Sequence, residues 1–163
     1  MGATITKFGD WVQAGVALQA VQTKIAPLAE AQLRQDGELI LTTLRNHITY
    51  QDLPWVPLSD TTIRLKKGND DIYVETGFSY DNVEVRRIRS AKDNMTIFVG
   101  ASPWAYHPEA KAKLSDLMIW LEYGTDQGIP ERPLIRPTWD EVEPIIKKHW
   151  QDALGDLVTR AGR

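Results

Sequence analysis

The chain contains no cysteine, so neither a disulfide nor a thiolate can take part in its folding or its chemistry. It also lacks an apolar run of about 18 residues, so we expect no membrane-spanning helix and no membrane partner. The net charge is only −3, and such a charge does not favour the binding of free nucleic acid through the overall field. The missing cysteines fit a protein made in a reducing cytoplasm.

The short motifs of common enzyme classes are also missing. No nucleophile elbow, dinucleotide-binding loop, P-loop or zinc-protease motif occurs. The histidines His47, His107 and His149 lie far apart in the sequence. His149 falls on the apolar side of a predicted helix, where a structural histidine is the commoner case. His107, in a proline-bounded loop, is the better candidate for a site. We therefore predict a protein that is not an enzyme and that has no cofactor and no metal.

At 163 residues the chain is expected to form one domain, 1–163. The spacing of its apolar residues predicts several helices. A weak stripe begins at Trp11, and Pro27 either breaks this helix or opens the next one. Gly37 lies inside a helix, where a close helix crossing would explain it. Two of the later helices are predicted to begin behind the caps Ser59 and Ser115. The clear helices are expected at 28–48, 60–67, 116–123 and 140–159.

Residues 82–100 are predicted to form a long β-hairpin. Val83 and Val85 share one strand face, and an apolar alternation returns after the turn at 92–94. Because Arg87 stands where an apolar residue is due, we predict a bulge near Arg86 and Arg87. The segment 101–113 is predicted to be a loop. The fold class expected is α+β, with a small, mainly antiparallel sheet packed against helices from the N- and C-terminal parts of the chain.

The hairpin is rich in positive charge. One interpretation is that these side chains face DNA and contact its phosphates. The other is a solvated strand face whose charges prevent edge-to-edge pairing. The residues concerned are Arg86, Arg87, Arg89 and Lys92.

The stretch from Trp120 to Trp139 carries most of the information. Three prolines fix φ in it, so we predict a stiff, extended ribbon that displays Arg132 and Arg136 outward, with a strand at 134–135. Arginines of this kind suit contact with a partner. Local ion pairing with Glu122 or Glu131 is the alternative.

Two blocks of the sequence carry a resemblance. Leu121-Glu122-Tyr123-Gly124-Thr125 followed by Pro130-Glu-Arg-Pro-Leu-Ile-Arg-Pro137 resembles the signature of tail-completion (head–tail joining) proteins of long-tailed bacteriophages. The earlier block Trp55-Val-Pro-Leu-Ser, Thr61-Thr62-Ile63, Lys66-Lys67-Gly68, Thr76-Gly77 is similar to the same family. Order and spacing agree over residues 28–160, although Phe78-Ser79-Tyr80 differs from the family's usual continuation.

The resemblance implies a structural virion protein, made in the bacterial cytoplasm and located in the phage neck. It would complete the tail end and join the tail to the head as one subunit of a ring, six in number in the family, through which genomic DNA passes. Its partners would be other copies of itself, other neck proteins, and the tail tube or terminator. In isolation the subunit would be able to exist as a monomer. For Trp120 and Tyr123, core packing is the commoner role. The expected interface residues are Trp120, Glu122, Tyr123, Gly124, Thr125, Arg132, Pro133, Arg136 and Pro137.

A ring needs two different contact surfaces on each subunit. The candidates are the ribbon 120–137 and the hairpin edge within 82–100. Three alternatives remain from the sequence: a tail terminator subunit, a small nucleic-acid-binding module that uses the basic hairpin 86–92, and a hydrolase with a site around His107.

Overall fold

The structure, a computed structural model, describes residues 8–74, 77–89, 95–108 and 110–161. The fold is α+β, as predicted: small antiparallel sheets pack against helices from both ends of the chain. No helix in the described part of the chain is long and apolar enough to cross a bilayer. In chain order the elements are α1 (Phe8–Tyr50), α2 (Asp60–Leu65), α3 (Phe78–Asp81), β1 (Val83–Arg89), β2 (Met95–Ala101), β3 (Tyr106–His107), β4 (Ala112–Lys113), α4 (Leu114–Tyr123) and α5 (Ile135–Ala161).

Strands β1 and β2 form the predicted hairpin. They pair one residue to one residue from Val83↔Ala101 to Arg89↔Met95. The bulge predicted near Arg86 and Arg87 is therefore wrong. The apolar alternation breaks there without any change in strand pairing, because only a buried strand face needs apolar residues. Strands β3 and β4 pair inside the segment 101–113, which is thus not wholly a loop.

Helix α1 crosses the hairpin at Gly37. A Cβ atom at this position would lie 2.8 Å from Cδ1 of Ile97 and 2.9 Å from Cγ1 of Val85. Glycine is thus required by a close approach, as predicted, although the neighbour is the hairpin and not another helix.

Helices α1 and α5 run antiparallel and are joined by polar contacts. Nε1 of Trp150 donates to Oδ2 of the buried Asp36 at 2.8 Å, and Nδ1 of His149 lies 3.2 Å from Oδ1 of the same carboxylate. Nearer the end of α1, Nε2 of His47 lies 3.3 Å from Oε2 of Glu141. His149 therefore has the structural role expected of it.

Two helix boundaries differ from prediction, and in both cases the helix contains a proline that was expected to end it or to precede it. Helix α1 continues through Pro27. An interior proline costs about 3 kcal/mol, through a lost hydrogen bond and a clash with the preceding turn, and α1 tolerates it. Helix α5 begins at Ile135 and not at 140, so the predicted strand at 134–135 is absent and Arg136 is helical. Pro137 lies in its first turn, where no N–H partner is needed, and Pro144 lies further inside.

The two short helices were located well from the sequence. Ser59 caps α2 as predicted, because its hydroxyl accepts the N–H of Thr62. Helix α4 begins at Leu114, before the predicted cap Ser115, and no side chain caps it. Its C-terminal end at Gly124 agrees with the prediction.

The core lies where α1, the hairpin and α4 meet. Trp55, Val85 and Val99 pack against it as partly buried neighbours. The buried cluster consists of Leu41, Leu44, Ile48, Ile72, Tyr73, Val83, Ala101, Ala105, Leu114, Met118 and Leu134.

Candidate assembly surface

Glu122 caps helix α5 from another helix. Glu122 is buried, with 3% of its surface exposed. Its carboxylate faces the first turn of α5. Oε2 accepts the N–H groups of Leu134 at 2.7 Å and Ile135 at 2.8 Å, and Oε1 accepts the N–H of Arg136 at 2.9 Å. The first N–H groups of a helix have no partner within the helix, and they carry a partial positive charge. A buried carboxylate is therefore stable here.

Arg136 is held within the chain. Its Nε donates to Oε1 of Glu122 at 3.1 Å, while Nη2 donates to the backbone carbonyl of Glu122 at 2.8 Å and to Oε2 of Glu131 at 3.2 Å. The guanidinium also lies 5.2 Å from the ring centre of Tyr123. The hydrogen bonds that Arg136 donates to Glu131 and, next in size, to Glu122 raise the pKa of Arg136. Local ion pairing, the alternative left open by the sequence, is the arrangement observed.

Arg132 is buried, with 5% of its surface exposed. Its Nε donates to the carbonyl of Val56 at 2.6 Å, and its Nη2 donates to the carbonyl of Pro57 at 3.0 Å. Burial lowers the pKa of Arg132. The prediction that Arg132 is displayed to a partner is wrong, because its donors hold the connector after α1 against the ribbon.

Gly124, Thr125 and Pro133 also have roles inside the chain. Gly124 has φ +69°, and a Cβ there would lie 2.9 Å from the carbonyl oxygen of Ile129. The N–H of Thr125 donates to that carbonyl at 2.9 Å, which closes the turn between α4 and the ribbon. The carbonyl of Pro133 accepts Nε1 of Trp55 at 2.6 Å. These residues therefore shape the ribbon.

Tyr73 links the ribbon to the core. Its hydroxyl donates to the carbonyl of Arg132 at 2.9 Å, and its ring centre lies 5.3 Å from that of Trp55. Burial raises the pKa of Tyr73 far above its ordinary value. The nearby carboxylate of Glu122 adds to the rise in pKa, and Arg132 opposes it. The hydroxyl therefore remains a donor at any ordinary pH.

Large apolar side chains lie exposed around this buried framework. Trp120 and Tyr123, for which core packing was the commoner expectation, lie on the surface instead. Exposed apolar side chains grouped in this way are typical of contact surfaces. The group, with exposed fractions, is Ile119 (55%), Trp120 (42%), Tyr123 (63%), Ile135 (44%) and Trp139 (45%).

Two cavities adjoin each other beside Ile119, Tyr123, Ile135 and Trp139, and together we name them the α5 groove. The first, about 280 Å³, lies between β2, α4 and the start of α5. The second, about 310 Å³, lies between α1, β2 and α5. Val99 and Ile135 line both cavities, whereas Trp120 lines a different cavity, on the side of His107. Sequence reasoning missed Ile119, Ile135 and Trp139. The i, i+4 spacing of Ile119 and Tyr123 on α4 is the signal that was available.

His107 lies apart from the α5 groove. It is buried, its Nδ1 accepts the N–H of Ala110 at 3.2 Å, and its ring packs edge-on against Phe78 at 4.8 Å between ring centres. It lines a cavity of about 300 Å³, together with mostly apolar side chains that include Phe78 and Leu114. Within residues 8–74, 77–89, 95–108 and 110–161, no three acidic or histidine side chains are grouped as a metal site would need.

The basic hairpin is described only in part. The guanidinium of Arg86 lies 5.5 Å from the ring centre of Phe98. Arg87 and Arg89 belong to β1 by their backbone, while Lys92 falls outside the described residues. Contact of this hairpin with DNA stays a prediction.

Comparison of the chain with protein-family models, with curated proteins and with solved structures gives no match. Function must therefore be inferred from the two sequence blocks and from the geometry of the groove.

Proposed function

We propose that this chain is a structural subunit of the neck of a long-tailed bacteriophage. In this role it completes the tail end and joins the tail to the head, as one member of a ring. The observation that carries the proposal is the α5 groove with its exposed apolar border, which includes Tyr123 and Trp139. Buried or half-buried aromatic anchors of this type supply most of the free energy of association at protein interfaces.

The residues that carry the resemblance support the proposal through their contacts. Glu122, Gly124, Arg132 and Arg136 all lie in one framework that joins α4, the ribbon and α5. Their hydrogen bonds position the groove, and Glu122 and Arg132 are buried, so neither of these two offers its charge to a partner. The signature thus has a physical purpose in this chain, which is to hold a receptor surface in a fixed shape.

A ring requires two different surfaces on each subunit, which meet on neighbouring copies. The α5 groove supplies one such surface, in place of the ribbon arginines that the sequence suggested. Its apolar border is unfavourable in water, since each exposed apolar group costs about 25 cal/mol per Å² relative to burial. Assembly removes that cost.

The test compares three single variants: Tyr123→Ala, Trp139→Ala and the control Trp104→Ala. Trp104 is 87% exposed and lies outside the α5 groove. Trp104→Ala therefore removes the same side chain as Trp139→Ala, but at a site away from the groove. All three should keep the circular dichroism of the parent. Native mass spectrometry and negative-stain imaging over rising concentration should show rings for the parent and for Trp104→Ala, and subunits alone for the two groove variants.

Two results would overturn the proposal. If the parent protein forms no ring at any concentration and does not bind purified phage tails, the neck function fails. If rings form equally well from Trp139→Ala and Tyr123→Ala, the groove is not the assembly surface. A gel shift at about 50 mM salt that retards DNA, and that Arg86→Ala abolishes, would favour the nucleic-acid-binding alternative.

A further inference from the structure

Helix α1 extends well beyond the helix that it packs against. The contacts of Asp36 with His149, and of His47 with Glu141, set an antiparallel register. This register places Ala161, the last residue of α5, opposite about residue 25 of α1. About 17 residues of α1 therefore project past α5, over about 25 Å at the helical rise. All the residues from 22 to 27 are exposed, including the apolar Ile25.

The sequence of this projecting segment is not that of a solvated helix. Residues 11–23 contain no charged residue. Apolar residues recur in it at alternating spacings of three and four, which is the pattern of a helix that packs along one seam against a partner. The seam consists of Trp11, Ala14, Leu18, Val21, Ile25 and Leu28.

The projecting segment and the α5 groove correspond in length and in chemistry. The groove follows α5 from Ile135 to Trp150, which is about 22 Å at the helical rise. The charge-free stretch 11–23 is about 20 Å long by the same measure. Both surfaces are apolar. A continuous helix does not reverse its direction, even with a kink at Pro27, so the segment cannot enter the groove of its own chain.

We infer that the seam of residues 11–28 in one copy seats in the α5 groove of a second copy. This inference rests on the proposed ring, and it names the two surfaces that meet in it. The contact is heterologous, because a helix on one copy meets a groove on the next, and so it can repeat around a closed ring.

The expected area explains why an isolated subunit can remain a monomer. A helix of this length that buries half of its surface covers about 500 Å² on each partner, from the dimensions of a helix. Stable pairs bury about 800 Å² on each partner. A single contact of this kind is weak, whereas in a closed ring every copy makes it twice.

The missing cysteines permit a direct test by disulfide trapping in the full chain. The double variant Leu18→Cys/Trp139→Cys joins the middle of the seam to the middle of the groove, so it reports seating in either helix direction. Mild oxidation at high protein concentration should give a ladder of linked copies on non-reducing gels. The yield should exceed that of Leu18→Cys/Trp104→Cys by about tenfold or more, since seating raises the local concentration of the thiols.

The controls separate the possible results. Should Leu18→Cys alone give abundant dimer, the projecting helices pair with each other and the inference is overturned. Equal yields from the Trp139 and Trp104 pairs, or no ladder from either the first pair or Val21→Cys/Trp139→Cys in folded protein, overturn it as well. Rings in native mass spectrometry without the cross-link leave the neck proposal standing and remove this contact. A cross-linked ladder that never closes keeps the contact and removes the ring.

Discussion

Oε1 of Glu122 accepts two hydrogen bonds from Arg136, one from its backbone N–H at 2.9 Å and one from its side-chain Nε at 3.1 Å. One carboxylate oxygen thus caps the helix and pairs with the arginine on it. The second oxygen binds the N–H groups of Leu134 and Ile135. This one buried side chain thus joins the end of α4 to the start of α5.

Replacement of Glu122 should destabilise the fold. Glu122→Ala leaves three backbone N–H groups of α5 without their acceptor, and we expect a loss of about 2–4 kcal/mol in the free energy of unfolding. Glu122→Gln keeps one acceptor oxygen and should lose about half as much. Urea unfolding followed by circular dichroism measures both. Glu131→Ala is the control, because that carboxylate is exposed and pairs with Arg136 at the surface, so its loss should stay within about 0.5 kcal/mol. A Glu122→Ala protein as stable as the parent would exclude the capping role.

Arg132→Ala should reduce stability, not assembly alone. The carbonyls of Val56 and Pro57 lose their charged donor, at a cost of about 2–3 kcal/mol. Arg132→Lys keeps the charge but cannot direct two donors at both carbonyls, so we expect an intermediate loss. Arg64→Ala, in the exposed helix α2, is the matched control. Thermal unfolding compares the three. An Arg132→Ala protein that unfolds like the parent but fails to assemble would restore the outward-facing role.

Tyr73 should make the fold sensitive to alkali. In the unfolded chain a tyrosine loses its proton near its ordinary pKa of 10.0, whereas the raised pKa in the fold keeps Tyr73 protonated. Above about pH 10 the unfolded state therefore binds fewer protons, and stability falls as pH rises, by at most about 1.4 kcal/mol per pH unit. Tyr73→Phe should cost about 1 kcal/mol at pH 8 and should flatten the loss between pH 10 and 11.5.

Tyr50→Phe, at a tyrosine that is 71% exposed, is the matched control variant. Equal alkaline slopes in the parent protein and in Tyr73→Phe would show that Tyr73 is not responsible.

Two glycines of α1 should respond to alanine in opposite directions. At Gly37 the new Cβ meets Val85 and Ile97 at less than ordinary contact distance, and such overpacking costs about 1–3 kcal/mol. At Gly15 nothing lies within 4 Å, so Gly15→Ala gains helix propensity of up to about 1 kcal/mol. Differential scanning calorimetry should show a lower melting temperature for Gly37→Ala and an unchanged or higher one for Gly15→Ala. If both variants were stabilised, the crossing of α1 and the hairpin at Gly37 would have space for a methyl group, and the overpacking argument would be wrong.

The predictions from the sequence succeeded where the signal is local. The hairpin, the cap at Ser59 and the end of α4 at Gly124 each follow from neighbouring residues. The need for glycine at Gly37 was also visible, because a glycine inside a strong helical pattern requires a reason.

The role of Arg132 could not be read from the sequence. Its acceptors are backbone carbonyls 75 and 76 residues away, and every residue type has such a carbonyl. The capping role of Glu122 could not be read from the sequence for a related reason. It caps a helix that begins about a dozen residues further on, whereas the known capping signature spans three residues. Both errors have the same effect, since they predict an exposed arm, whereas the side chains of Arg132 and Glu122 are buried.

The cap at Glu122 has a consequence for whatever enters the groove. Helix α4 and the start of α5 both line its first cavity, and the carboxylate of Glu122 joins these two helices. Separation of α4 from α5 would leave three backbone N–H groups of α5 without an acceptor. The shape of the groove is therefore fixed before any partner binds. A segment that docks in the groove therefore loses its own conformational entropy, but the groove itself needs little reorganisation. Weak apolar contacts can then be sufficient for binding.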